Sequence, residues 1–141
     1  MNQVYWGLIM YHPKTNEWDD RMSELFDRVD RALEERYQGR WKLRRNRPAR
    51  GATANPEMDG LFNVGVFFTP GFGSRHGRGY LVEIVIATEE DVPPDERSAI
   101  ENQVRDMVTA FLPDAFPGRD LRVERDGTML KIHGDLGMGS V

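Results

Sequence analysis

The nine residues Gly71-Phe72-Gly73-Ser74-Arg75-His76-Gly77-Arg78-Gly79 hold the densest group of side chains that could do chemistry. Four glycines in nine positions let a backbone take positive φ and come close to a ligand. Ser74 offers a hydroxyl, Arg75 and Arg78 two fixed cations, and His76 a titratable imidazole. With main-chain amides these make a candidate site for a small anionic ligand, phosphate-bearing or RNA. The spacing is not that of a phosphate loop, because no Gly-Lys-Ser/Thr follows, nor of a dinucleotide fingerprint, because a strand follows rather than a helix. The alternative is a solvated hairpin loop whose arginines serve solubility.

A second candidate is the block from Arg40 to Arg50, with six cations (Arg40, Lys42, Arg44, Arg45, Arg47 and Arg50) and no anion. Trp41 stands among them, a pattern found on nucleic-acid surfaces. Trp41 also alternates with the cations, which points it toward a core. The chain has 19 basic and 23 acidic residues, a net charge of −4. Outside the block the balance is 13 against 23, so the block either faces a polyanion or neutralises acidic faces of the same fold.

The histidines are His12, His76 and His133. They could meet in space, and His133 forms an H-x-D pair with Asp135. Without an i, i+4 pair on a helix they assign no metal site, and no cofactor is expected. Ser74 and His76 share a loop but lack a nucleophile elbow or an orienting carboxylate, so an enzyme centred on His76 has no motif behind it. The paired carboxylates Asp19-Asp20, Glu34-Glu35 and Glu89-Glu90 read as solvated helix faces and element ends.

The elements that must position these groups follow from periodicity. A helix is predicted from about Asn16 to Tyr37, with Trp18, Met22, Leu25, Phe26, Val29, Leu33 and Tyr37 on one stripe. Glu17, Asp19 and Asp20 fall in its first turn, and Gly39 stops it. Arg40–Arg44 reads as a strand by alternation, and 46–60 as a long irregular loop. Strands are predicted over Leu61–Thr69 and Tyr80–Thr88, joined by the glycine-rich loop. A second helix spans about Pro94 to Leu112, started by Pro94, Asp95 and Glu96 and ended by Pro113. A hairpin closes the chain: Leu121–Arg125, the turn Asp126-Gly127, then Thr128–His133. Residues 4–12 fit either a strand or a short helix, and the tail from Gly134 is glycine-rich.

Helices and strands are segregated, so the expected fold is a single α+β domain over residues 1–141. It is a two-layer sandwich with both helices on one face of a mainly antiparallel sheet. The middle order α-β-β-β-α is similar to that of double-stranded RNA-binding domains. Their second helix opens with basic residues, whereas this one opens Pro93-Pro94-Asp95-Glu96-Arg97. With no cysteine, disulfides and thiolate metal sites are excluded. The N-terminal apolar run is too short to span a bilayer and lacks a signal-peptide pattern, so the expectation is a cytoplasmic protein without membrane contact.

Phe26, Val66, Ile84 and Val104 are the expected centre of the core. Residues Leu61 to Phe68 are apolar on both strand faces, more than one helical layer can cover. Leu61 and Phe67 are therefore candidates for a subunit contact, and a two-fold dimer is the expected assembly. The reading is a non-catalytic binding or interaction domain that self-associates.

Overall fold

The computed structural model describes residues 13–54, 58–71 and 76–136. The N-terminal run at 4–12, Ser74 and Arg75, and the tail from 137 lie outside them. Helix α1 (Pro13–Arg36) leads into an irregular segment, strands β1 (Phe62–Thr69) and β2 (Gly79–Ile86), helix α2 (Pro94–Ala115), and strands β3 (Leu121–Asp126) and β4 (Met129–Gly134). The four strands form one antiparallel sheet in the order β1-β2-β4-β3, and both helices pack on the same face.

The stripe of α1 is buried at Trp18, Met22, Leu25, Phe26, Val29 and Leu33. The helix starts at Pro13, three residues before the expected start, because proline suits a first helical position where no N–H partner is needed. Glu17, Asp19 and Asp20 therefore lie beyond the first turn. Helix α2 buries Ile100, Val104, Val108 and Leu112 and continues past Pro113 to Ala115. Proline there removes a single bond of the ladder in the last turn, and its φ suits a helix. The extra turn delivers Phe116, whose ring stacks on Trp18 at 4.2 Å between centroids.

Residues 40–44 form no strand: the chain bends at 40 and 41, and 42–44 are irregular. Trp41 is buried against Tyr37, as its alternation implied. The backbone N–H of Lys42 donates to the Glu90 carboxylate, that of Arg45 to Glu89, and that of Arg44 to the Ala87 carbonyl. Leu43, expected on the same side as Trp41, is exposed instead, because a strand's alternation holds only where a neighbouring strand supplies a ladder.

Residues directly opposite in the register point to the same side of a sheet. Val66↔Val82, Phe68↔Tyr80, Tyr80↔Ile132 and Val82↔Leu130 thus mark the face under the helices. Leu61, just outside β1, is buried here rather than offered to a partner. Phe26 and Val104 are buried as expected, while Val66 and Ile84 are only half-buried. Strand β4 pairs with β2 only over Tyr80–Val82. Ile84 consequently has no strand beside it on that side and lines a surface cavity with Arg97, Glu101 and Arg125. Val66 sits on an edge strand. In the final hairpin the turn residues are Gly127 and Thr128, one later than expected, with Asp126 facing Met129. Positive φ at Gly127 and not at Thr128 is the type II′ pattern, which places glycine first.

Candidate functional site

The face of the sheet away from the helices carries the chemistry. The pairs Arg122↔His133, Glu124↔Lys131 and Leu81↔Lys131 place Arg122, Glu124, Lys131 and His133 together on it. Glu124 and His133 are diagonal neighbours, and His133 Nε2 lies 2.6 Å from the Glu124 carboxylate. The described ends of the β1–β2 loop, at 71 and 76–78, come together at this face. The pinch point is Gly71, where a Cβ would run into the backbone at Gly77. The His76 ring lies against His133 at 4.6 Å between centroids, with Nδ1 3.6 Å from the same Glu124 oxygen.

Lys131 anchors the loop. It is 1% exposed although it lies on the outer face. Its ammonium donates to the Gly77 carbonyl and pairs with Asp126 at 3.1 Å. A buried ammonium held by a carbonyl and a carboxylate is the arrangement that offsets its desolvation.

His76, Glu124 and His133 place one ligand atom each within 4.8 Å of one another. The hydrogen bond from His133 holds the Glu124 carboxyl below its usual range; burial opposes it, and the charges of His76, His133 and Arg122 add to the lowering. The carboxylate is about half exposed, so water can reach the cluster. Two imidazoles and an ionised carboxylate at one point can share a proton or accept a cation.

Of the loop residues singled out by sequence, His76 joins this cluster and Arg78 is half-buried at the end of the loop. Asp135 does not join His133; it pairs with Arg119 at 3.5 Å.

The cationic block is divided between two tasks. The Arg47 guanidinium donates to the carbonyls of Asp59, Gly60 and Phe62. Arg50 binds Asp30 at 2.5 Å and lies 3.7 Å from Asp59. Arg40 pairs with Glu96 at 2.6 Å and lies over the Trp41 ring. Lys42, Arg44 and Arg45 keep exposed side chains.

Sequence reasoning missed the network that Arg47 and Arg50 enter. Asp30, Glu34 and Asp59 are all buried. Glu34, read as part of a solvated face, instead accepts the Phe62 backbone N–H at 2.8 Å, because the irregular segment closes over α1 at that point. Burial works to raise the Asp59 pKa but is outweighed by hydrogen bonds from the Thr53 amide and hydroxyl and the Gly51 amide, and by Arg50, so it ends lowered. Asp30 goes the other way: burial, with Glu34 nearby, overcomes Arg50 and pushes it up to about 7. The network's bonds tie Arg50 and the start of β1 to α1. It is a staple.

A groove of about 720 Å³ runs along α1 beside the end of α2. Its lining mixes Arg21, Arg28 and Arg31 with Glu24, Asp27 and Asp114, and Arg21 is bound to Glu17 and to the Ala115 carbonyl. It assembles no chemical constellation.

The described residues thus form an α+β fold with two helices on one face of its sheet and a His-Glu-His cluster on the other. Residues 13–134 match a protein family described as "Uncharacterised protein", and the chain belongs to that family. A relative from Borreliella burgdorferi, carrying the name "Uncharacterized protein", is 36% identical over 121 residues, covering 86% of this chain and 94% of its own length. No solved structure matches the chain significantly. No helix among the described residues is long and apolar enough to cross a membrane.

Proposed function

We propose that this is a binding domain that works by assembly rather than catalysis, pairing with a second copy of itself through the edge strand β1. The observation carrying this reading is the contrast between the two edges of the sheet among the described residues. Strand β3, at one edge, reads Leu-Arg-Val-Glu-Arg-Asp and is guarded by charge along its length. Strand β1, at the other, reads Phe-Asn-Val-Gly-Val-Phe-Phe-Thr, with no charge and no proline. Proteins commonly protect an edge with charged side chains, proline or a bulge, since an unguarded edge recruits another strand.

Phe67 and Phe68 add an apolar anchor on each face, 45% and 43% exposed. The irregular segment does not cover them, because its bonds run to α1 and to the start of β1. An uncharged edge is self-complementary, as a two-fold interface requires. Antiparallel β1–β1 pairing would satisfy backbone groups and bring two phenyl rings together on each face of the joined sheet.

Light scattering after size exclusion, from micromolar to several hundred micromolar protein, tests the proposal. Wild type is expected to run as a dimer. The double variant Phe67→Lys with Phe68→Lys is expected to raise the dimer dissociation constant at least tenfold, with unchanged circular dichroism. A wild type that stays monomeric at hundred-micromolar concentration would overturn the reading, as would a dimer indifferent to both lysines.

A further inference from the structure

We propose that His76, Glu124 and His133 form a binding site for one divalent transition-metal ion per chain. The ligand chemistry carries the argument first. Two imidazole nitrogens and one carboxylate oxygen, with remaining positions open to water, suit zinc, iron(II), cobalt(II) or nickel(II). Magnesium and calcium prefer all-oxygen shells, so the set discriminates against them.

The geometry is close to what an ion requires. Metal–ligand bonds of about 2.0–2.2 Å place adjacent ligand atoms roughly 3.0–3.4 Å apart. The Glu124 oxygen lies 3.6 Å from His76 Nδ1 and 2.6 Å from His133 Nε2, on either side of that range. All three ligand atoms fall within 4.8 Å of one another. Two of the ligands stand on paired strands with fixed register, and the third is delivered by a loop anchored through Lys131 to the same sheet.

Electrostatics agree. Metal ligation takes the imidazoles in their neutral form, so the set brings a single negative charge, which a divalent ion reverses. Arg122, opposite His133 on the same face, has Asp120 at 3.6 Å to pair with, and Lys131 has Asp126. At the cluster the partners of Glu124 are the two imidazoles, while each flanking cation pairs with an aspartate. Three protein ligands with part of the shell left to water describe an exchangeable centre rather than a closed structural one. The β1 edge is separate from this cluster, so metal binding and self-association can fail independently.

The test is calorimetric titration of zinc chloride into full-length protein stripped with EDTA, with magnesium chloride in parallel. Cobalt(II) absorption reports the coordination directly. Wild type is expected to bind one zinc per chain with low-micromolar affinity, to give visible cobalt bands, and to unfold at a higher temperature with zinc present. Glu124→Gln and His133→Gln are each expected to weaken zinc binding at least tenfold, since even outer-shell partners cost 10–100-fold. Glu83→Gln, an exposed carboxylate on the same face, is expected to leave affinity unchanged. Circular dichroism of the stripped variants checks that they are folded.

The proposal is overturned if stripped wild type shows no saturable zinc uptake below millimolar concentration. It is equally overturned if magnesium binds as tightly as zinc, or if folded Glu124→Gln and His133→Gln both stay within twofold of wild type. Loss of zinc binding in Glu83→Gln to the same extent would show nonspecific surface chelation and overturn it too.

Discussion

Replacing Phe26 with alanine is expected to cost about 3–5 kcal/mol of folding stability. The ring is buried in the middle of the α1 stripe, flanked on that face by Met22, Val29 and Leu33. Removing it takes away both its transfer free energy and the contacts of the atoms around it, and a helix locked against a sheet cannot collapse to fill the gap. Whole domains are stable by only about 5–15 kcal/mol, so one substitution would remove a large share. Urea unfolding checks it: the midpoint should fall sharply with the slope unchanged. Val66→Ala is the internal comparison and should cost clearly less, because Val66 is half-buried on an edge strand. A Phe26→Ala loss below about 1 kcal/mol would mean that α1 turns a different face to the sheet.

Asp30→Asn is expected to abolish a pH dependence of stability between about pH 4 and pH 7. The folded carboxyl titrates near 7, raised first by burial and then by Glu34, while in an unfolded chain it titrates near 3.9. A folded state that holds its proton more tightly than the unfolded state loses stability as pH rises. Below about pH 4 both states are protonated and Asp30 has no effect. Through the window the unfolded chain ionises first, and above about pH 7 the full cost of the buried charge remains, partly offset by Arg50. Three pKa units correspond to a cost on the order of 4 kcal/mol. Asparagine has the shape of the protonated acid and no charge to desolvate, so the variant should gain on wild type by a few kcal/mol from pH 4 to pH 8. Denaturant titrations of both proteins across that range provide the measurement. Parallel profiles would show that Arg50 keeps Asp30 ionised throughout. Asp59 does not confuse the experiment, because its pKa is lowered and its contribution is lost only in more acid solution.

The polar clusters were far less legible in the sequence than the elements that hold them. His133 and Glu124 both stood in a recognised hairpin, yet their meeting depends on where its turn falls. A turn at Asp126-Gly127 would set Glu124 opposite Met129 and slide it away from His133. The actual turn at Gly127-Thr128 sets Glu124 opposite Lys131 and makes His133 its diagonal neighbour. His76 lies 48 residues before Glu124 in the chain, so no local pattern could join them. Glu34 and Asp30 were invisible for a related reason. A carboxylate on a helix reads as solvated unless something closes over it, and what closes is a loop without periodicity.

By itself the sequence determined the two helices, the four strands, the antiparallel class and most of the core, because apolar periodicity is a local property that burial must satisfy. It also determined that β1 would be apolar on both faces. Only the tertiary structure decided that, among the described residues, β1 is an edge and 40–44 pairs with no strand, and that the cations of 40–50 divide between a buried staple and the surface. It alone brought a loop imidazole to a strand carboxylate and a second imidazole. Those outcomes depend on which groups meet across long stretches of chain, and register and loop closure decide that, not the period of any one segment.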